Sequence, residues 1–89
     1  MSIPLSKLKE QARDLIRSSL TNCAPIPETL RARLVIGVLF EGDTRIFEMY
    51  VPGDTPEDAI ILARVPINAL TGQAGSVEVF EERWTPIEP

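Results

Sequence analysis

Residues 30–51 read LRARLVIGVLFEGDTRIFEMYV, and their pattern decides the fold. Ala32, Leu34, Ile36, Val38 and Phe40 fall on one side of an extended chain. Arg31, Arg33, Val35, Gly37, Leu39 and Glu41 fall on the other. Successive side chains of a strand point to opposite faces, so this alternation predicts a strand over about 30–41 with one face turned to a core. Gly42 and Asp43 then separate two strand-like runs, the mark of a two-residue hairpin in which glycine supplies the positive φ. The second run, 44–51, sets Phe47, Met49 and Val51 on one side and Ile46, Glu48 and Tyr50 on the other.

Upstream of this hairpin the period changes. Leu5, Leu8, Ala12, Leu15, Ile16 and Leu20 recur at helical spacing, while Lys7, Glu10, Arg13, Asp14 and Arg17 take the opposite face. This predicts an amphipathic helix over about 4–21. Pro4 suits its first turn, and Asn22 is expected to end it in the left-handed conformation. Pro25 and Pro27 make 23–29 an extended connector.

Downstream, two readings of residues 56–65 stay open. Ile61, Ala63, Val65 and Ile67 alternate, which predicts a strand over 59–68 with Pro66 on the outer face or an edge. Thr55, Pro56, Glu57 and Asp58 also resemble a helix start, with Pro66 as the stop. A turn rich in glycine at 68–75 leads to a last strand over 76–84, and 85–89 reads as a frayed tail. The expected fold class is α+β: an N-terminal amphipathic helix packed on a four-stranded antiparallel meander, in one domain spanning 1–89. The helical reading of 56–64 gives instead a ββαβ order after the first helix.

Composition removes several functions. The 89 residues contain no histidine, the commonest general base near neutral pH and the commonest metal ligand. A lone Cys23 excludes an internal disulfide. Cys23 also follows a helix carboxyl end, where the dipole opposes a thiolate. Asp54, Glu57 and Asp58 cluster without the spacing of a calcium loop. Glu78, Glu81 and Glu82 with Asp43 would need a dry cleft to act as a glycosidase pair. No phosphate-binding glycine motif occurs. No catalytic residue, metal site or cofactor is therefore expected, and the chain is read as a non-enzyme. A net charge of −4 argues against nucleic acid. No basic stretch leads into an apolar run at the amino terminus, and no apolar run reaches the twenty or so residues of a membrane span. A cytoplasmic bacterial-type protein that binds neither membrane nor nucleic acid is expected. The charge is uneven: Lys7, Lys9, Arg13, Arg17, Arg31 and Arg33 outnumber the acids before residue 41, and acids dominate after it.

The run Ala63-Arg64-Val65-Pro66-Ile67-Asn68-Ala69-Leu70-Thr71-Gly72, followed by Ser76-Val77-Glu78-Val79, resembles the hairpin of PepSY-type domains and of small bacterial toxin-immunity proteins. Those families set a helix before an antiparallel sheet, so the resemblance implies that topology. It covers about a quarter of the chain. Asn68 stands where aspartate is usual, and Gln73, Ala74 and Gly75 lengthen the turn. The helical reading of 56–64 resembles instead a β-grasp module. Carrier members of that superfold end in a glycine pair, whereas this chain reads Ile87-Glu88-Pro89.

One helix covers one face of a sheet. The expected uncovered face carries Val35, Leu39, Ile46, Tyr50, Leu62, Phe80 and Trp84, rimmed by Arg33, Arg45, Glu48, Glu78 and Glu82. A contiguous apolar patch marks an interface. The expected partner is a protein, including a second copy of the chain paired through this face. The functional expectation is a protein-binding module, such as an immunity or inhibitor protein or a small adaptor subunit. The alternative is an accessory subunit or small-ligand-binding protein of an enzyme complex, with a pocket between helix and sheet.

Overall fold

A computed structural model describes residues 2–23 and 25–84. It shows helix α1 (Leu5–Leu20), a short α2 (Glu28–Arg31) and strands β1 (Val35–Glu41), β2 (Thr44–Val51), β3 (Ile60–Asn68) and β4 (Glu78–Val79). Single 3-10 turns occupy Pro56–Asp58 and Glu81–Arg83. The strands lie in sequence order, β1-β2-β3-β4, each antiparallel to the next. The fold is α+β, with the helix across an antiparallel meander.

The hairpin forms where the glycine allows it. Glu41 pairs with Thr44, and Gly42 between them has φ +59. A non-glycine residue in the left-handed region meets its own Cβ against a carbonyl oxygen, which costs roughly 1–2 kcal/mol. Helix α1 buries Leu8, Ala12 and Ile16, spaced four apart, against Phe47, Ala63, Val65, Ile67 and Ala69. It lies over β3 and part of β2. Leu5, expected on the same stripe, is exposed. The amino end of α1 is tied down by the Ile3 N–H donating to the Ala69 carbonyl at 2.7 Å and by Gln11 Nε2 donating to the Gly72 carbonyl at 2.9 Å.

Several boundaries differ from the sequence reading. The first strand starts at Val35 and not near residue 30, because 28–31 form a helical turn. Pro27 stands just before that turn with φ −54 and ψ 140. It presets the entry backbone without interrupting a helical hydrogen bond, so the two prolines do not exclude a helix at 28. Asn22 does not adopt the left-handed conformation; Gly42 and Gly72 alone have positive φ among the described residues. Helix α1 closes instead through tightened bonds, Asn22 N–H to Ser19 carbonyl at 3.4 Å and Cys23 N–H to Leu20 carbonyl at 3.1 Å. Residues 56–64 are not helical: one 3-10 turn precedes β3. The last strand shrinks to two residues, and the chain turns at Glu81–Arg83. The tail at 85–89 lies outside the described residues.

The main irregularity is a bulge. Met49 pairs with Ala63 and Tyr50 with Ile61, so Leu62 is an extra residue in β3. The insertion shifts side-chain parity by one. Ala63, Val65 and Ile67 face the helix after it, and Ile60 before it and Leu62 within it keep to the same side, packed with Val51, Trp84, Leu20, Ile26, Leu30 and Leu34. Pro66 stands in an inner strand without weakening the β2–β3 ladder. Its carbonyl accepts the Gly75 N–H at 2.8 Å, so the absent N–H would also have pointed away from β2.

Candidate functional site

Helices α1 and α2 share one side of the sheet, and the opposite side is the candidate surface. Register arranges it in rows. Val35, Tyr50 and Ile61 form one, Gly37, Glu48, Arg64 and Glu78 the next, and Leu39, Ile46 and Pro66 a third. Leu39 is 52% and Val35 42% exposed; Ile46, Tyr50, Ile61 and Phe80 are half-buried. Apolar rows therefore flank a charged one.

The charged row is ordered by Arg64. Its guanidinium lies 3.8 Å from the Glu48 carboxylate and 3.6 Å from that of Glu78, with its Cζ 5.3 Å from the centre of the Phe80 ring. Exposed ion pairs of this kind contribute at most about 1 kcal/mol each. Their consequence is positional: Arg64 spans β2 to β4 and fixes where charge sits on the face. Gly37 explains the position of Tyr50. A Cβ at residue 37 would lie 3.0 Å from Tyr50 Cε1, so the missing side chain lets the ring lie down across β1. Gly37 thus admits an aromatic side chain from the neighbouring strand.

Loop 52–59 rises at one end of this face and closes a cleft of about 540 Å³ with Gly37, Leu39, Glu48, Tyr50 and Ile61. Asp58 braces the loop: its N–H donates to the Thr55 carbonyl at 3.0 Å, and its carboxylate accepts the Thr55 hydroxyl at 3.0 Å. Of the three acids of this turn, Asp58 serves the turn itself. The middle of the contact between helix and sheet is filled by buried side chains, and the hollow that does lie between α1 and the sheet runs along the β1 flank, lined by Lys9, Arg13, Arg17, Leu34, Ile36 and Met49.

Five of the seven expected interface residues, Val35, Leu39, Ile46, Tyr50 and Phe80, lie on the open face. Leu62 and Trp84 do not. Leu62 is 0% and Trp84 6% exposed, both in the core cluster around Val51. The bulge turns Leu62 inward and the turn at 81–83 brings Trp84 under the sheet. Ile61 takes the place assigned to Leu62, which strict alternation through 59–68 conceals, and Pro66 lines the face, as the strand reading of 59–68 expects. Of the expected rim, Glu48 and Glu78 flank Arg64. Arg45 sits across from the patch, with its Cζ 4.7 Å from the Phe40 ring centre. Arg33 donates to the Pro52 carbonyl at 2.9 Å.

The Cys23 thiol donates to the Ser19 carbonyl at 3.5 Å. Desolvation, and then the neighbouring Glu81 carboxylate, push its pKa up, away from a thiolate. Among the described residues no group of three or more metal-ligating side chains gathers, and no helix is long and apolar enough to cross a membrane. No family model, curated protein or solved structure matches the chain.

Proposed function

We propose that this protein is a non-catalytic protein-binding module, of the immunity, inhibitor or small-adaptor kind, acting in the cytoplasm through the open face of its sheet. A second copy of the chain is among its partners. The observation that carries this reading is the open face itself: Val35, Leu39, Ile46, Tyr50, Ile61 and Phe80 lie together on the side opposite both helices. Exposed apolar patches of this kind mark binding surfaces. The ordered Glu48–Arg64–Glu78 row supplies the polar register that such a surface needs. The protonated Cys23 thiol and the lack of histidine support a non-catalytic role. The order of helix and antiparallel meander supports the resemblance to immunity-type modules.

Light scattering after gel filtration at two loading concentrations tests the self-pairing. A concentration-dependent dimer that Leu39→Lys and Tyr50→Lys each abolish, with circular dichroism unchanged, is the expected result. A monomer at millimolar concentration, with both variants neutral, overturns it. The cleft beside loop 52–59 supports a second reading, a small-ligand-binding accessory subunit. Thermal stabilisation by a metabolite, lost on Gly37→Val, would favour that reading.

A further inference from the structure

We propose that the free edge of β1 is a strand-addition site for an extended partner segment that alternates acidic with apolar residues. Among the described residues β1 is an end strand of the sheet, and all seven of its residues pair with β2 in unbroken register. The two-residue turn closes on the hydrogen-bonded pair Glu41–Thr44. Antiparallel alternation therefore sends the N–H and C=O groups of Ile36, Val38 and Phe40 outward, away from β2. Edge strands are ordinarily blunted by proline, lysine or a bulge. This one has none, and it exposes Val35, Leu39 and Phe40, the last at 66%.

The chemistry of the occupant follows from α1. The helix, lying over β3 and β2, runs antiparallel to β1 and turns one flank toward it: Leu5 and Leu8 share a hollow with Phe40 at one end, and Arg17 shares one with Leu34 at the other. Between them Lys9, Arg13 and Arg17 rim a groove of about 400 Å³ floored by Leu34, Ile36 and Met49. All three cations are exposed, and none forms an ion pair among the described residues. They recur every four residues, about 6 Å along a helix. Alternate residues of a strand advance about 6.6–6.8 Å. An added strand with a carboxylate at every second position would set its acids against this row and its apolar side chains beside Val35 and Leu39.

A second copy fits this edge poorly. Antiparallel β1–β1 pairing has its two-fold axis normal to the sheet. It would place both α1 helices on one side, bring the two cation rows toward each other, and offer only Ile36, Val38 and Phe40 where acids are needed. The edge is thus distinct from the open face, and its occupant is a different chain.

The test uses a capped nine-residue peptide alternating valine with glutamate and its valine–lysine counterpart, each fluorescently labelled, titrated against the full chain. The glutamate peptide should bind at least ten-fold more tightly than the lysine peptide and weaken with salt. Binding should slow amide exchange at Ile36, Val38 and Phe40. Phe40→Pro removes an outward N–H at an exposed position, and Arg13→Glu inverts the charge; each should reduce affinity at least ten-fold. Should the proline variant fail to fold, the charge variant and the exchange pattern decide alone. Equal binding of the two peptides, unchanged exchange at those three amides, or equal affinity for a short duplex DNA would overturn the proposal.

Discussion

Truncating Leu62 to alanine should unfold the protein far more readily than truncating Leu39, although both are leucines in strands of one sheet. Leu62 has no exposure and packs with Val51 and Trp84, whereas Leu39 is half open to water. Three carbons removed at about 0.8 kcal/mol each give about 2.4 kcal/mol. The cavity left by incomplete collapse raises this to about 3–4 kcal/mol. At about 0.05–0.1 kcal/mol per residue the whole chain has about 4–9 kcal/mol of stability, so the variant loses a large part of it. Leu39→Ala should cost about 0.5 kcal/mol or less. Urea denaturation followed by the fluorescence of Trp84, the chain's single tryptophan, reads both. The Leu62 midpoint should fall well below that of the parent with an unchanged slope, and the Leu39 midpoint should scarcely move. Equal losses would refute the bulge, because without it residue 62 belongs to the open face.

Three further outcomes are expected. Asn68 Oδ1 accepts the N–H groups of Leu70 and Thr71 at 2.8 and 3.0 Å, so Asn68→Ala should cost about 1–2 kcal/mol by thermal melting while Asn68→Asp, which keeps the acceptor, costs much less. Gly42→Val should lower stability by roughly 1–2 kcal/mol through its φ of +59, with nothing within 4 Å to clash, measured by urea titration. The Cys23 thiol, with its pKa raised by desolvation and Glu81, should react with a thiol probe more slowly than in the urea-unfolded chain. A folded pKa above the unfolded one favours the protonated state, so its contribution to stability is present below the unfolded pKa and is lost as pH rises through the folded one. Cys23→Ser should remove that alkaline dependence and leave binding near the parent value.

The sequence made α1 and the β1–β2 hairpin legible because each repeats one period without interruption, in 5–20 and in 35–51. Its reading of β3 was ambiguous for a physical reason. A bulge inserts one residue, and one residue inverts every side chain beyond it. Alternation projected Leu62 outward and hid Ile61, and no local signal at Leu62 marks the change. Trp84 was lost differently, since a 3-10 turn after a two-residue strand carries it back beneath the sheet. The cleft at 52–59 is lined by that loop together with Gly37, Leu39, Glu48 and Tyr50, segments that no local pattern of the sequence joins. The cation row on α1 was visible as a polar helix face, yet its meaning needed the neighbouring edge strand, which only the sheet order supplies.

Pairing of a second copy on the open face is the core of the proposed function. Methyl NMR spectra recorded on serial dilution test it most directly. Concentration-dependent shifts are expected for the methyl groups of Val35, Leu39, Ile46 and Ile61, with those of Leu8, Leu62 and Val65 stationary. Shifts confined to the helical side, or no shift on any methyl across the dilution, would contradict it.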